Sequence, residues 1–286
     1  MTAEPPPQPA APPKKKGGRD LKAAVAVGAS MGGAVVASLV IEKAVFVGLV
    51  AFAVVVALRE LGTALGTAGI RIPEIPLAVG SVAMAIAAYE RGTEGLIVAL
   101  ALTVLGVVVW RLAEGPHGFV GDTTAGLFTA VYLPFLAGFA VLLDRPDDGA
   151  GRVATFVILT VCNDVGGYTT GVKLGKHPMA PKISPKKSWE GFAGSVGTCM
   201  LAGAVCMETL VDGAWWQGLV LGVAAAFAST VGDLGESVLK RDIGVKDMGN
   251  LLPGHGGIMD RLDSLLINAP VIWLLLAGFV DPSTAG

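Results

Sequence analysis

Long runs of apolar residues alternate with short polar segments along most of this chain. A helix needs about 20 mainly apolar residues to cross the hydrocarbon core of a bilayer. The segments that fit this description are 22–40, 44–61, 75–90, 94–112, 119–143, 152–174, 189–210, 214–239 and 258–280. The pattern therefore predicts an all-α polytopic membrane protein with about nine transmembrane helices.

Composition places the chain in the same class. Apolar residues make up 53% and charged residues 15% of the sequence, whereas a soluble domain carries about 25% charged residues. The mean hydropathy is +0.66. The formal net charge of −2 gives no reason to expect a nucleic-acid partner. Cys162, Cys199 and Cys206 lie in apolar stretches without metal-ligand spacing, so we expect small buried side chains there.

The distribution of Lys and Arg predicts the orientation of the spans. With a cytoplasmic N-terminus and alternating loops, the basic residues on the far side are Lys43, Arg91, Arg145 and Arg152. Every other Lys and Arg then lies on the cytoplasmic side. Cytoplasmic loops of membrane proteins are enriched in basic residues in this way. We therefore expect the N-terminus in the cytoplasm and the C-terminus outside.

The chain divides into three parts. Residues 1–21 are rich in Pro and Lys and cannot form a core, so we expect a disordered cytoplasmic tail. Its lysines fit either a topology signal or contact with anionic lipid. Residues 22–143 hold about five spans without a functional signal of their own. Residues 144–286 hold about four spans, and their polar cytoplasmic loops, 175–188 and 241–257, mark this part as the catalytic region.

One polar helix face lies within the eighth predicted span. Its members are Ser229, Asp233, Glu236, Ser237 and Lys240. Their spacing places them on the same side of a helix. An Asp at the centre of a span costs about 2.5–3.5 kcal/mol. The two acids therefore need a cavity, a cation or a basic partner, and an ion pair with Lys240 or Arg241 is the structural alternative.

A second acidic pair, Asp260 and Asp263, begins the last span at i, i+3 spacing, so both carboxylates can face one cavity. An acid in a first turn also complements the helix dipole, which is sufficient to explain Asp263 alone. Carboxylates in an enclosed polar site hold Mg²⁺ together with substrate phosphates. The glycines ahead of this pair, Gly254, Gly256 and Gly257, let backbone N–H groups approach an anion.

Basic residues complete the pattern near these acids and in loop 175–188. They are Lys182, Lys187, Lys240, Arg241 and Lys246. Such side chains pair with phosphates, although anchoring on the cytoplasmic side also explains the lysines of the loop. His255 is either a base or a hydrogen-bond donor. Carboxylates, a glycine segment and bases at one membrane face together indicate phosphoryl-type transfer on a lipid.

A long signature occupies positions 237 to 263. Its fixed positions are Ser237, Leu239, Lys240, Arg241, Lys246, Asp247, Pro253, His255, Gly256, Gly257, Asp260, Arg261 and Asp263. Their order and spacing resemble the signature of the phosphatidate cytidylyltransferases, or CDP-diacylglycerol synthases. Residues 163–191, with Asp164 and the Ser184-Pro185-Lys186-Lys187 run, also look like this family. The first five spans resemble it only as a set of spans.

The resemblance implies a reaction in which CTP and phosphatidic acid give CDP-diacylglycerol and pyrophosphate for phospholipid synthesis. It also implies a Mg²⁺-dependent enzyme, with a second cation as an open question. The family is a homodimeric, multi-pass enzyme of the inner or plasma membrane whose polar cavity faces the cytoplasm. The expected partners are therefore CTP, phosphatidic acid, membrane lipids and a second copy of the chain.

The resemblance also implies roles for individual residues. The expected catalytic residues are Asp233, Asp260, Lys240, Arg241 and His255. The expected substrate-binding residues are Lys182, Ser184, Lys187, Lys246, Gly256, Gly257 and Arg261. Asp233 and Asp260 are expected to hold the main metal ion, with Asp263 and Asp164 as further ligands of that ion or of a second cation.

Three other functions are compatible with parts of the pattern. A transporter or channel explains acids within spans, but it does not explain why the polar residues gather on one side. A CDP-alcohol phosphotransferase works at the same membrane face, but the order of residues around Asp260 differs from its signature. A lipid or polyprenol kinase is a nearer alternative, against which the Ser184-Pro185-Lys186-Lys187 run argues.

Overall fold

The computed structural model describes residues 21–249 and 256–280. The predicted tail, 1–21, lies outside the described residues except for Leu21, with which the first helix begins. The predicted loop 241–257 is described at both ends but not over 250–255. His255 belongs to that gap.

The described chain is almost entirely helical. The helices are α1 (Leu21–Ile41), α2 (Lys43–Thr67), α3 (Glu74–Glu114), α4 (Phe119–Ala130), α5 (Leu136–Asp144), α6 (Gly149–Leu174), α7 (Trp189–Leu210), α8 (Trp215–Asp242) and α9 (Met259–Val280). A five-residue π-helical turn, Val131–Phe135, joins α4 to α5. Two short strands, β1 (Pro178–Ala180) and β2 (Ser184–Ser188), lie between α6 and α7.

Six helical segments are long and apolar enough to cross a membrane. They are Lys43–Thr67, Glu74–Glu114, Phe119–Asp144, Trp189–Leu210, Trp215–Asp242 and Met259–Val280. The prediction of an all-α polytopic membrane protein is therefore confirmed at this level. The count of nine spans and the side on which each terminus lies stay predictions.

The longest helix, α3, contains a break at Gly92. This residue has φ 66° and ψ −147°, a conformation that glycine adopts without steric cost. A Cβ at this position would also lie 2.9 Å from Nη1 of Arg145. The break falls between the predicted spans 75–90 and 94–112, so α3 consists of two helical halves that the sequence pattern treats as separate.

The segment between α6 and α7 forms an antiparallel β-hairpin, whereas the sequence predicted only a loop at 175–188. Pro178 pairs with Ser188, and Ala180 pairs with Ser184. The carboxylate of Glu190 fastens the base of the hairpin, because Oε1 lies 2.5 Å from His177 Nδ1 and Oε2 accepts the backbone N–H of Lys176 at 3.1 Å. These contacts fix β2, which carries Lys187, at the start of α7.

Small residues bring the last four helices close together. A Cβ at Gly203 of α7 would overlap the backbone of Gly218 in α8. A Cβ at Gly232 of α8 would overlap the backbone carbonyl of Asp263 in α9. Glycine is favoured where membrane helices approach in this way. The second contact places the polar face of α8 directly beside the first turn of α9.

Helices of the N-terminal half pack against the residues near the end of α8 and the start of α9. Leu58 and Leu61 of α2 belong to one buried cluster with Met248 and Met259. Tyr132 and Leu133 of the π-helical turn pack in that cluster too. The described residues just before and after the 250–255 gap therefore pack against α2 and the bend between α4 and α5.

Candidate active site

A cavity of about 1660 Å³ lies between α6, α8, α9 and the hairpin, and it extends along α1 and α2. Its acidic lining residues are Asp164, Asp233, Glu236, Asp247, Asp260 and Asp263. Its basic lining residues are Lys186, Lys187, Lys240, Lys246 and Arg261. Acids and bases drawn from distant parts of the sequence thus face one space.

The same cavity has an apolar wall. Among the residues that form it are Val35, Phe46, Val50, Ala140 and Phe156, from α1, α2, α5 and α6. A site that joins a charged end to an apolar wall suits a ligand with a charged head group and hydrocarbon chains, because each part meets a matching surface.

Lys187 of the hairpin reaches the polar face of α8. Its Nζ lies 2.5 Å from Oδ2 of Asp233, and both side chains are partly exposed to the cavity. The pair links two elements that are 46 residues apart in sequence. This contact puts a lysine that the resemblance assigns to substrate binding beside an acid that it assigns to metal binding.

Lys240 of α8 lies between two carboxylates. Its Nζ is 2.5 Å from Oδ1 of Asp260 and 2.6 Å from Oε2 of Glu236. Asp260 also accepts the backbone N–H of Gly257 at 2.6 Å and that of Met248 at 3.2 Å. Charge-assisted hydrogen bonds of this kind fix a carboxylate firmly. Asp260 is thus held by residues on both sides of the 250–255 gap.

Glu236 faces Asp263 within the helix pair α8–α9. The two carboxyl groups are close enough for their charges to interact, and Glu236 is only 3% exposed. Its Oε1 has no hydrogen-bond donor among the described residues. Two adjacent carboxyl groups need a shared proton or a nearby cation to offset their repulsion. The sequence placed Glu236 on the polar face but gave it no role in the site.

Asp164 lies at the α6 side of the cavity. The side-chain amide of Asn163 donates to Oδ1 of Asp164 at 3.2 Å. Asn163 is held in turn because its backbone carbonyl accepts a hydrogen bond from the Ser195 hydroxyl at 2.7 Å. Asp164 is close enough to Asp233 for their charges to interact, with Lys187 as a compensating cation. Asp164, which was expected as a further metal ligand, therefore lies near Asp233, which was expected to hold the main metal ion.

A magnesium ion fits the chemistry of this donor set. Within 21–249 and 256–280, no group of three or more His, Cys, Asp or Glu side chains is arranged to hold a metal ion. Mg²⁺ is usually bound by one or two carboxylates, with substrate phosphates and waters as the other ligands. The unpartnered Oε1 of Glu236 and the facing acids Asp233 and Asp263 supply the excess negative charge that such an ion needs.

The structure gathers most of the predicted site residues but not all. Those that line the cavity are Asp164, Ser184, Lys187, Asp233, Lys240, Lys246, Gly256, Asp260, Arg261 and Asp263. Lys182 and Arg241 are exposed and lie outside the lining. Gly257 is buried behind the lining, where its N–H is used by Asp260. His255 lies outside the described residues.

Comparison with known proteins agrees with this site. The model of the Cytidylyltransferase family matches residues 22–279. The chain belongs to this family. The match includes both the cavity-forming helices of the C-terminal half and the first five predicted spans.

Named relatives come from several bacteria. A phosphatidate cytidylyltransferase of Mycobacterium leprae is 44% identical over 91% of this chain and 89% of its own length. One from Mycobacterium bovis is 42% identical over 91% of this chain and 90% of its own length. One from Brucella suis is 33% identical over 66% of this chain and 68% of its own length. The resemblance seen in the signature is therefore confirmed.

Proposed function

We propose that this chain transfers the cytidylyl group of CTP to phosphatidic acid, giving CDP-diacylglycerol and pyrophosphate. The observation that carries this proposal is the single cavity in which Lys187 and Lys240, each beside a carboxylate, face an apolar wall. The triphosphate of CTP suits the charged end of the cavity. Phosphatidic acid suits both parts, because its phosphate is charged and its acyl chains are apolar. The phosphatidate cytidylyltransferases among the relatives support the same substrate pair.

The reaction is an exchange at one phosphorus atom. A phosphate oxygen of phosphatidic acid attacks the α-phosphorus of CTP and forms a new P–O bond. The bond from that phosphorus to the bridging oxygen of the β-phosphate breaks, and pyrophosphate leaves with the electron pair. A phosphate monoester near neutral pH is already ionised, so the nucleophile needs no strong general base. His255 is therefore better suited to hydrogen bonding than to proton abstraction.

The chief obstacle is repulsion between two anionic substrates. Positioned cations stabilise phosphoryl-type transfer by neutralising charge that develops on the phosphate oxygens. We assign this role to Lys187 and Lys240, which already face carboxylates in the cavity. A phosphate can take over each ammonium group from its carboxylate partner, because both are anionic oxygen ligands.

The remaining predicted residues have graded roles in the proposal. Ser184, Lys246, Gly256 and Arg261 line the cavity and meet phosphate or nucleotide groups. Lys182 and Arg241 are exposed beyond the lining, so they act on an incoming anion rather than at the reacting phosphorus. Gly257 acts through the N–H that it donates to Asp260.

Magnesium completes the proposed site. Asp233 and Asp260 are the residues that would hold it, with Asp263 and Asp164 as further ligands or as the site of a second cation. When bound, it supplies positive charge to the phosphates of CTP. Lys187 and Lys240 would keep Asp233 and Asp260 neutralised before the nucleotide arrives.

We also propose the membrane arrangement that the charge distribution predicts. The chain crosses the cell membrane about nine times, with α1, α6 and both halves of α3 as spans in addition to the other helices. The N-terminus and the charged end of the cavity face the cytoplasm, where CTP is available. A homodimer is the proposed assembly.

The deciding experiment uses membranes or purified protein with Mg²⁺, phosphatidic acid and CTP labelled at the α-phosphorus. Label should enter the lipid phase, and one pyrophosphate should be released for each labelled lipid. Asp260→Asn, assayed at the same Mg²⁺ concentration, is the matched low-activity control, because it keeps the shape of the side chain but removes its charge. Lipid phosphorylation that depends on ATP instead would contradict the proposal and favour a kinase.

A further inference from the structure

A carboxylate from the N-terminal half reaches the first turn of α9. Oε2 of Glu60, on α2, accepts the backbone N–H of Met259 at 2.9 Å, across 199 residues of sequence. Met259 is the first residue of α9. The first N–H groups of a helix have no partner within the helix, so Glu60 caps α9 from another part of the fold.

Two glycines make room for this carboxylate. A Cβ at Gly249 or at Gly257 would overlap the carboxyl group of Glu60. Neither glycine has a positive φ, so space rather than backbone conformation accounts for the absence of a side chain. These glycines flank the 250–255 gap. Glu60 thus lies between the two ends of the segment that joins α8 to α9.

Glu60 is not arranged as an ordinary stabilising cap. Its Oε1 is buried and has no hydrogen-bond donor among the residues that the structure describes. Burying a polar atom without a partner costs free energy, and caps are commonly supplied by a local Ser, Thr, Asp or Asn. Because burial of this carboxylate costs free energy, we expect Glu60 to have a role other than stabilising the helix.

Glu60 contacts the end of α9 that carries Asp260. Asp260 directly follows Met259, and it receives both the Lys240 ammonium and the Gly257 N–H. Any shift of the first turn of α9 therefore moves Asp260 relative to α8. The part of α2 that carries Glu60 is well packed, because Leu58 and Leu61 are buried in one cluster with Met259.

We propose that Glu60 is a positioning residue for cytidylyl transfer: its carboxylate accepts the Met259 N–H, packs against Gly249 and Gly257, and thereby aligns Asp260 with Lys240. This role rests on the proposed function. Glu60 does not line the cavity, so it acts through α9 and not on the substrates. The N-terminal half then contributes to catalysis as well as to the membrane scaffold.

The experiment compares four variants of the full-length protein. Glu60→Ala removes the carboxylate, whereas Glu60→Gln keeps an oxygen that can accept the Met259 N–H. Gly249→Ala leaves Glu60 intact but displaces its carboxyl group. Gly235→Ala is the matched control, because nothing lies within 4 Å of a Cβ at that position of α8.

The kinetic result expected is a fall in kcat and not in nucleotide binding. Glu60→Ala and Gly249→Ala should lower kcat by about tenfold to hundredfold, since small misplacements at a reacting centre have effects of that size. The KM for CTP should stay within about twofold of wild type, as expected when a change weakens transition-state stabilisation and leaves ground-state binding unchanged. Glu60→Gln should retain most of kcat, and Gly235→Ala should match wild type.

A second measurement does not depend on activity. Hydrogen–deuterium exchange of the peptide that covers 256–262 should become faster in Glu60→Ala and in Gly249→Ala but not in Glu60→Gln. If wild type makes no labelled lipid from CTP, the proposed function fails, and this exchange pattern alone decides whether Glu60 holds the start of α9. Unchanged exchange in both variants would overturn the proposal.

Kinetic outcomes can overturn it as well. Wild-type kcat in well-folded Glu60→Ala would show that α9 needs no alignment from α2. An equal loss of activity and of monodisperse protein in Glu60→Ala, with Glu60→Gln and Gly249→Ala both active as wild type, would show a structural cap only. If Glu60→Ala does not fold, Glu60→Gln and Gly249→Ala still give opposite expected results.

Discussion

Lys240 and Asp260 form an ion pair between α8 and α9, with Nζ 2.5 Å from Oδ1. The two side chains are 17% and 7% exposed, so solvent screens this pair little. Glu236 lies on the other side of the same ammonium group at 2.6 Å. One ammonium group thus pairs with two carboxylates, and its removal takes the ion-pair partner from both.

Replacement of Lys240 by Ala should therefore affect both stability and activity. Loss of one partner from a buried pair costs about 3–5 kcal/mol, and loss of a charge that stabilises the transition state lowers kcat by about 10²–10³. Thermal unfolding in detergent and labelled-CTP turnover measure the two effects. Lys176→Ala, an exposed lysine at the base of the hairpin, is the control. Wild-type turnover in Lys240→Ala would remove this lysine from the mechanism.

Lys187 and Asp233 should behave as one unit. Because the two side chains are in direct contact, we expect the double variant Lys187→Ala/Asp233→Asn to lose less activity than the two single losses combined. The measurement is a double-mutant cycle on kcat/KM for CTP. Additive losses would mean that the pair separates before the reaction and that each residue acts alone.

Gly232 should tolerate no side chain. A Cβ there would overlap the carbonyl of Asp263, so Gly232→Ala should push α8 away from α9 and destabilise the fold by about 1–3 kcal/mol, as overpacking does. Thermal unfolding measures the loss, and Gly235→Ala, three residues along the same helix, is the matched control. Equal unfolding temperatures for the two variants would contradict the close helix contact.

Chelation of Mg²⁺ should stop turnover, and added Mg²⁺ should restore it. Asp233→Asn and Asp260→Asn should each need at least about 10–100 times more Mg²⁺ for half of their maximal rate, because the loss of even an outer-shell partner of a metal ligand costs that much. Turnover measured over a range of Mg²⁺ concentrations tests this expectation. Full activity in excess chelator would exclude the metal role of these acids.

Local spacing in the sequence predicted the part of the site that lies on single helices. Asp233 and Lys240 share the polar face of α8, and Asp260 lies in the first turn of α9, as their spacing indicates. Helical periodicity fixes such relations without knowledge of the fold. The break at Gly92 also lies where the hydrophobic pattern changes from one predicted span to the next.

The spacing of residues in the sequence did not predict the contacts between elements that are far apart along the chain. The pair Lys187–Asp233 depends on a hairpin whose strands are only three and five residues long, too short for a periodic signal. Glu60 was missed because it lies next to Arg59 at the end of an apolar run, where a solvated charge pair is the ordinary expectation. Gly249 and Gly257 contact Glu60 only through the tertiary packing of α2, which the spacing of residues in the sequence does not predict.

The apolar wall along α1, α2 and α6 has a consequence for kinetics. A substrate whose chains stay in that wall is delivered by lateral diffusion in two dimensions, and its effective concentration is its mole fraction in the bilayer. The enzyme should therefore show surface-dilution behaviour: its rate falls when inert lipid is added at constant total phosphatidic acid. CTP, in contrast, is supplied from three dimensions and follows its bulk concentration.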